Sequence, residues 1–217
     1  LIETQVVDAA QDETQAHVTL DSGAVLSARL LVSAEGRKSL LRGIAGIATR
    51  NWSYPQTALT ALLVHERPHR EVSTEFHTRQ GPFTLVPLPA STHAPHRSSL
   101  VWMMNPDEAR RREKLDDEKL AIEMRRQSPH LLGKLRLEGP RGVFPMSGLM
   151  AENFAQNRIA LVGDAAHGFP PIGAQGLNLG MRDIAHLVDA LAGQKDCGAP
   201  DVLARYDGAR RTDVRSR

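Results

Sequence analysis

The chain has 217 residues, 41% of them hydrophobic and 24% charged, with 27 basic against 25 acidic side chains for a net charge of +2. This is an ordinary globular composition with room for one large domain or two small ones, and the interleaving of basic with acidic residues, as in DEARRREKLDDEKLAIEMRR, argues against a nucleic-acid binder. No apolar run is long enough to span a membrane, no basic-then-apolar leader opens the sequence, and a single cysteine, Cys197, excludes an internal disulfide and fits a reducing compartment.

In chain order, residues 5–8 and 16–20 read as strands separated by the polar turn AAQDET, and DSG at 21–23 as a hairpin loop. Residues 24–33, AVLSARLLVS, make a third strand whose end is apolar on both faces, as in a layered sheet. AEGRKS follows and leads into a short helical stretch ending near residues 43–47. From about Trp52 the strands TALTALLVHE, VSTEFHT, GPFTLVPLP and SSLVWMM succeed one another without a helix, which predicts an antiparallel sheet. Asn105 suits an N-cap, Pro106 the first helical position, and Asp107 and Glu108 the positive end of the dipole of one solvated helix reaching to SPHLLG. GKLRLEGPRGVFPM reads as a strand pair turning at Gly139 and Pro140.

Residues 159–162 form a short apolar run, the pattern of a central parallel strand. In the helix beyond, Leu177, Met181, Ile184, Val188 and Leu191 make one apolar stripe expected to pack on the sheet, with Gly193 as C-cap. The fold class is therefore mixed α/β (α+β). The chain leaves an α/β layer near residue 50, builds an antiparallel sheet over 51–146, and returns to the layer over 147–217. It begins at Leu1 inside a strand pattern and ends on a charged helical pattern without a stop signal, so it reads as a piece of a longer protein.

The joint LVGDAAHGFPPIGAQGLNLG, residues 161–180, is about twice the two to six residues that a strand-to-helix turn needs. Gly163 lets the backbone approach something closely, and Asp164 stands at the carboxyl end of a strand, where α/β sheets bind ligands and a carboxylate can accept bonds from a sugar or polyol hydroxyl. Pro170 and Pro171 stiffen the segment. Gly173 and Gly176 bring bare backbone to a helix N-terminus, whose unpaired N–H groups suit an electron-rich or anionic group. On glycine content alone, an elaborate loop with Asp164 as an N-cap accounts for the same residues. His167 has two readings, a ligand-side role or packing against the loop. The other histidines show no metal-ligand spacing, and no metal site and no Ser-His-Asp arrangement are expected.

GDAAHGFPPIGAQGLNLGMRD closely resembles the second flavin-binding motif of the single-component flavoprotein aromatic hydroxylases. The resemblance implies that Asp164 holds the ribityl or pyrophosphate region of FAD. It implies that Gly173, Gly176, Leu177 and Asn178 lie against the isoalloxazine ring, with Gly163 at the turn, and that the Pro171 carbonyl faces the substrate hydroxyl. LLVSAEGRKSLLR resembles the family's Ala-Asp-Gly-Arg-x-Ser-x-x-Arg motif, which contributes to FAD and nicotinamide binding. Here Gly36, Arg37 and Ser39 match and Glu35 replaces the aspartate; without the motif, Arg37 reads equally as an exposed surface cation. HERPHREVSTEFHTRQGPFTLVPLP and RSSLVW resemble, more loosely, the branch that hydroxylates polyprenylated phenols in ubiquinone biosynthesis.

The family's N-terminal Gly-x-Gly-x-x-Gly unit does not occur in the sequence. The architecture implied is a partial FAD-binding Rossmann-like layer plus an antiparallel-sheet substrate domain, with Leu59, Leu63, Phe83 and Leu85 as candidates to line a substrate cavity, most of them equally suited to ordinary core. The activity implied is FAD-dependent hydroxylation of a polyprenyl phenol through a flavin hydroperoxide, with NAD(P)H as electron donor. The protein would be cytoplasmic, at the periphery of the inner membrane beside other ubiquinone-biosynthesis enzymes. Lacking the glycine unit, the chain by itself is expected to bind FAD poorly and to self-associate. Two other readings stay open: a related flavoenzyme that halogenates or oxidises, and a remnant that only binds or supports a partner.

Overall fold

Inward alternation sets the first sheet. In the computed structural model, which describes residues 3–128, 131–170 and 175–215, strand β2 (Ala16–Leu20) buries Ala16, Val18 and Leu20 and turns His17 and Thr19 the other way. It pairs antiparallel with β1 (Val6–Gln11) and β3 (Val25–Ala28). Gly23, at φ +83°, supplies the left-handed position of the β2–β3 turn. The third strand expected over 24–33 is in fact two. β3 ends at Ala28, and β4 (Leu31–Ser33) belongs to another sheet. The break is held by Arg158, which takes the Arg29 carbonyl at 3.1 Å through Nη1, while its own carbonyl accepts from Leu31 N–H at 2.9 Å. Side-chain bonding at a chain bend leaves no mark in a hydrophobic pattern.

The chain divides into two units, Leu1–Trp52 with Ser147–Arg217, and Ser53–Met146. In the first, β11 (Ala155–Gln156) pairs antiparallel with β12 (Ile159–Leu161), which pairs parallel with β4. Helix α1 (Leu40–Ile44) follows β4, and α4 (Gln175–Leu191) and α5 (Pro200–Arg215) follow β12. Leu41, Ile47, Phe154, Ile159, Leu161, Leu179, Leu187 and Tyr206 share the core. Helix α4 departs from expectation. Its buried positions are Leu179, Asp183, Leu187 and Ala190, while Leu177, Met181, Ile184 and Val188 of the apolar stripe are 55–75% exposed. Leu191 is partly buried against the core. A face with a charged residue at its centre does not read as a core face from sequence, yet here a buried ion network makes it one. Gly193, at φ +71°, follows the helix end as expected.

Strand β5 (Thr49–His65) carries the chain into the second unit and β10 (Gly142–Ala151) carries it back. Between them come β6 (Thr74–Thr78), β7 (Gly81–Leu88), β8 (Arg97–Met104), α2 (Pro106–Glu113), α3 (Asp117–Gln127) and β9 (Leu135–Leu137). The strands β5, β8, β7 and β6 form an antiparallel sheet in that order. The residues 133–146 do not form a hairpin: β9 pairs with β5, which is also the sheet neighbour of β10. The expected single helix is two, because Asp116 accepts from Lys119 N–H at 2.8 Å and caps a second start. Nor is the helical segment simply solvated. Arg112 is buried, its guanidinium 4.3 Å from the centre of the Trp102 ring and 2.8 Å from Glu123. Leu59, Leu63, Phe83 and Leu85 are at most 2% exposed and pack with Leu120 and Met124 of α3; the first three are core, while Leu85 also borders a cavity with Val72, Thr74 and Leu132.

Candidate functional site

Two joints lie side by side where the parallel strands β4 and β12 end, and Val162 N–H donates to the Ser33 carbonyl at 3.0 Å between them. This is the end of an α/β sheet at which ligands bind. Beyond β12 the chain makes one 3-10 turn over Gly163–Ala165. Gly163 takes φ +59°, with nothing within 4 Å of where a Cβ would stand. Asp164 is exposed, and among the described residues no hydrogen bond engages its carboxylate. The segment then runs through β13 (His167–Gly168), which pairs with Leu149 and Met150 of β10. Helix α4 begins at Gln175, and Gly176, Leu177 and Asn178 are exposed in its first turn. Pro171 and Gly173 lie outside the described residues.

Beyond β4, Gly36 turns the chain at φ +78°. Glu35 faces its own chain. Its Oε2 lies 2.9 Å from Ser33 Oγ, 2.7 Å from Ser39 Oγ and 3.1 Å from Leu41 N, so that oxygen serves the start of α1. Ser39 Oγ caps the same helix by accepting from Arg42 N–H at 3.0 Å. Arg37 donates through Nη2 to the carbonyl and hydroxyl of Ser147, both at 3.0 Å. A Cβ on Gly168 would stand 2.9 Å from Arg37 Nη1, so the glycine makes room for the guanidinium.

Two residues central to this geometry carried no assigned role in the sequence reading. Arg42 ends the Ser-x-x-Arg part of its motif. Burial lowers its guanidinium from the usual arginine range and Glu35 opposes that shift. It donates through Nη1 to the Ala165 carbonyl at 2.8 Å and through Nη2 to the Arg37 carbonyl at 2.7 Å, joining the two motifs. Asp183 ends the GMRD of the longer motif and is fully buried, with Oδ2 accepting from Gly163 N–H at 2.7 Å. Both could have been suspected because each closes a quoted motif with a charge. Around Gly163 and Asp164 the arrangement offers an exposed carboxylate, an open left-handed glycine turn and a helix N-terminus, a donor and acceptor set that fits a hydroxyl-bearing, anionic cofactor such as FAD. Among the described residues no cluster suits a metal ion, and no helix is long and apolar enough to cross a membrane.

Comparison with known proteins agrees with this geometry. A family model described as FAD binding domain matches residues 2–216. The chain is similar to the ubiquinone hydroxylase UbiL of Rhodospirillum rubrum, at 41% identity over 90% of this chain and 45% of that protein. It is also similar to the 3-demethoxyubiquinol 3-hydroxylase of Escherichia coli, at 32% identity over 89% of this chain and 49% of that one. Among solved structures it is similar to PqsL of Pseudomonas aeruginosa, a probable FAD-dependent monooxygenase, with a TM-score of 0.79 and 26% identity over 99% of this chain and 60% of that one. The chain spans about half the length of the curated relatives it matches.

Proposed function

This chain belongs to the FAD binding domain family, and from that premise we propose that it supplies the flavin-facing part of a monooxygenase that hydroxylates a polyprenylated phenol in ubiquinone biosynthesis. One observation carries the reading: the exposed Asp164 carboxylate stands just past the turn at Gly163, at the carboxyl end of β12, in a chain matched to that family over nearly its whole length. The two named ubiquinone-pathway relatives support the substrate class.

Bound FAD supplies the redox and oxygen-activating chemistry, with NAD(P)H as electron source. The chain's own residues bind and orient. Asp164 accepts from a cofactor hydroxyl. The first-turn N–H groups around Gly176, Leu177 and Asn178 present positive potential to an electron-rich edge. Arg42 and Arg37 fix the backbone of the two joints, and Glu35 serves the start of α1. A prenylated substrate dissolves in lipid, so the enzyme works at a membrane surface.

The test uses protein that contains this chain, given FAD, NAD(P)H, oxygen and a short-chain polyprenyl phenol, with products read by mass spectrometry. Gain of one oxygen atom by the ring is expected. Oxidation of the nicotinamide without an oxygenated product would overturn the hydroxylase reading, and failure to bind FAD would overturn the cofactor reading as well. Asp164→Ala, which removes one charged hydrogen bond of about 1.5–3 kcal/mol, should weaken FAD about ten- to a hundredfold.

A further inference from the structure

We propose that Asp183 is the positioning residue of the turn that presents Asp164, and that His167 and Arg210 hold it in place; the cofactor part of this rests on the flavin reading above. The ends of the span 163–167 converge on one atom. Asp183 Oδ2 accepts from Gly163 N–H at 2.7 Å and lies 2.8 Å from His167 Nε2. Asp164 lies between these anchors and is the exposed member of the span, beside the half-buried Gly163. A carboxylate that gathers both ends of a short loop fixes the direction in which the middle of the loop points.

The other oxygen is fixed as firmly. Asp183 Oδ1 accepts from Arg210 Nε at 2.6 Å, and both side chains are fully buried. Arg210 also donates through Nη1 to Asp213 at 2.7 Å, and that nitrogen lies 3.4 Å from His186 Nδ1. Asp213 in turn accepts from Arg182 at 2.9 Å. Thus α5 holds the carboxylate from behind while the loop occupies its front. Burial of an ion pair is weak support for stability alone, since apolar residues of similar volume often serve as well. Its use here is directional, because only a carboxylate can take the loop amide, the imidazole and the guanidinium together.

His167 is built as a wedge. It is 1% exposed, and its ring lies 5.9 Å from the ring centres of both Phe154 and Phe169. Its Nε2 faces Asp183, while its buried Nδ1 has no hydrogen-bond partner among the described residues. The ring therefore gives its one polar contact to the carboxylate. Helix α4 passes directly behind the turn: a Cβ on residue 180 would stand in van der Waals contact with Gly163 Cα, at 3.6 Å.

The test compares His167→Leu, which removes the donor, with His167→Gln, whose amide can restore it. Amide hydrogen exchange is followed by NMR at Gly163 and at Leu161 in the neighbouring strand. In His167→Leu the Gly163 amide should exchange about tenfold faster or more while Leu161 is unchanged, and His167→Gln should return Gly163 to within about threefold of the unaltered protein. Unchanged Gly163 exchange overturns the proposal. So does an equal rise at Leu161, which would mean general loosening, and so does a failure of glutamine to restore protection. If His167→Leu does not fold, the unaltered protein decides: a Gly163 amide no better protected than that of exposed Asp164 overturns the proposal. FAD titration of the same substitutions in protein that contains this chain together with the N-terminal glycine unit, read by flavin fluorescence, should show weakening in His167→Leu and recovery in His167→Gln. Absence of FAD binding in every protein, with the exchange pattern intact, would remove the flavin reading and leave the role of Asp183 standing.

Discussion

Arg42 and Ala165 are joined by a hydrogen bond of 2.8 Å from the guanidinium Nη1 to the carbonyl oxygen, across 123 residues of sequence. The other terminal nitrogen reaches the Arg37 carbonyl at 2.7 Å, so one side chain fastens the joint after β4 to the joint after β12. Arg42→Gln loses both charge-assisted bonds. Because the residue is half-exposed, the expected cost is about 1–2 kcal/mol, below the full value of two such bonds. Urea unfolding measures it, and an unshifted midpoint refutes the fastening role.

Gly148 lies under the Trp52 indole, where an added Cβ would stand 2.0 Å from Cε2. The ring also sits 6.1 Å from Phe169, so it cannot move aside without disturbing the residue that precedes Pro170. Gly148→Ala should destabilise by about 1–3 kcal/mol through overpacking and change the Trp52 fluorescence. A variant with unaltered emission and stability would contradict the close packing described.

Tyr206 is fully buried and donates its hydroxyl to the Leu161 carbonyl at 2.6 Å; burial, ahead of the neighbouring Asp183 charge, pushes its ionisation well above the usual tyrosine range. Tyr206→Phe keeps the ring and leaves that carbonyl without its phenol. A loss of about 1–3 kcal/mol is expected in equilibrium unfolding. Full stability in the phenylalanine variant would show that the bond contributes nothing.

Two groups make opposite demands on a pH titration yet act with the same sign. Burial lowers His65 from its ordinary 6.5, with His69 and His96 adding to the effect and the Arg67 carbonyl opposing it. A base with a depressed folded value resists charging, so its contribution is complete above 6.5 and is lost as pH falls through the folded value. Asp196 is held at about 2, against an ordinary 3.8, first by the Arg158 side chain and also by Gly198 N–H. Its contribution is complete above 3.8 and is lost as pH falls toward about 2. Stability should therefore decline in two stages on acidification. An NMR titration of His65 with a midpoint at or above 6.5 would remove the first stage, and an Asp196→Asn variant with the same acid limb as the unaltered protein would remove the second.

Apolar runs made β12 and the antiparallel strands β5, β7 and β8 legible in the sequence, because burial is the force that shapes them. The capping pattern likewise announced the start of α2 at Asn105 and Pro106. What escaped was decided by polar contacts between distant residues. Arg158 breaks the strand at 29–30, Asp116 restarts a helix inside an unbroken run of charges, and Asp183 turns the less apolar side of α4 inward. At the site, glycine spacing located the turn at Gly163 and the helix start at Gly176. The direction of Glu35 toward Ser39, and the reach of Arg42 to Ala165, depend on neighbours that no local pattern names.

Helix α4 shows water four large apolar side chains, Leu177, Met181, Ile184 and Val188, along the side away from Asp183. Covering them would release roughly 25 cal/mol for every Å² of apolar surface removed from water, or several kcal/mol in all. That makes adsorption of this chain oriented. An apolar column, a detergent micelle or an air–water boundary will take hold along α4, and so beside the helix start that carries Gly176 and Asn178. Retention on a hydrophobic column, and its drop in Met181→Lys, would measure how much of the chain's handling in solution is governed by that one helix side.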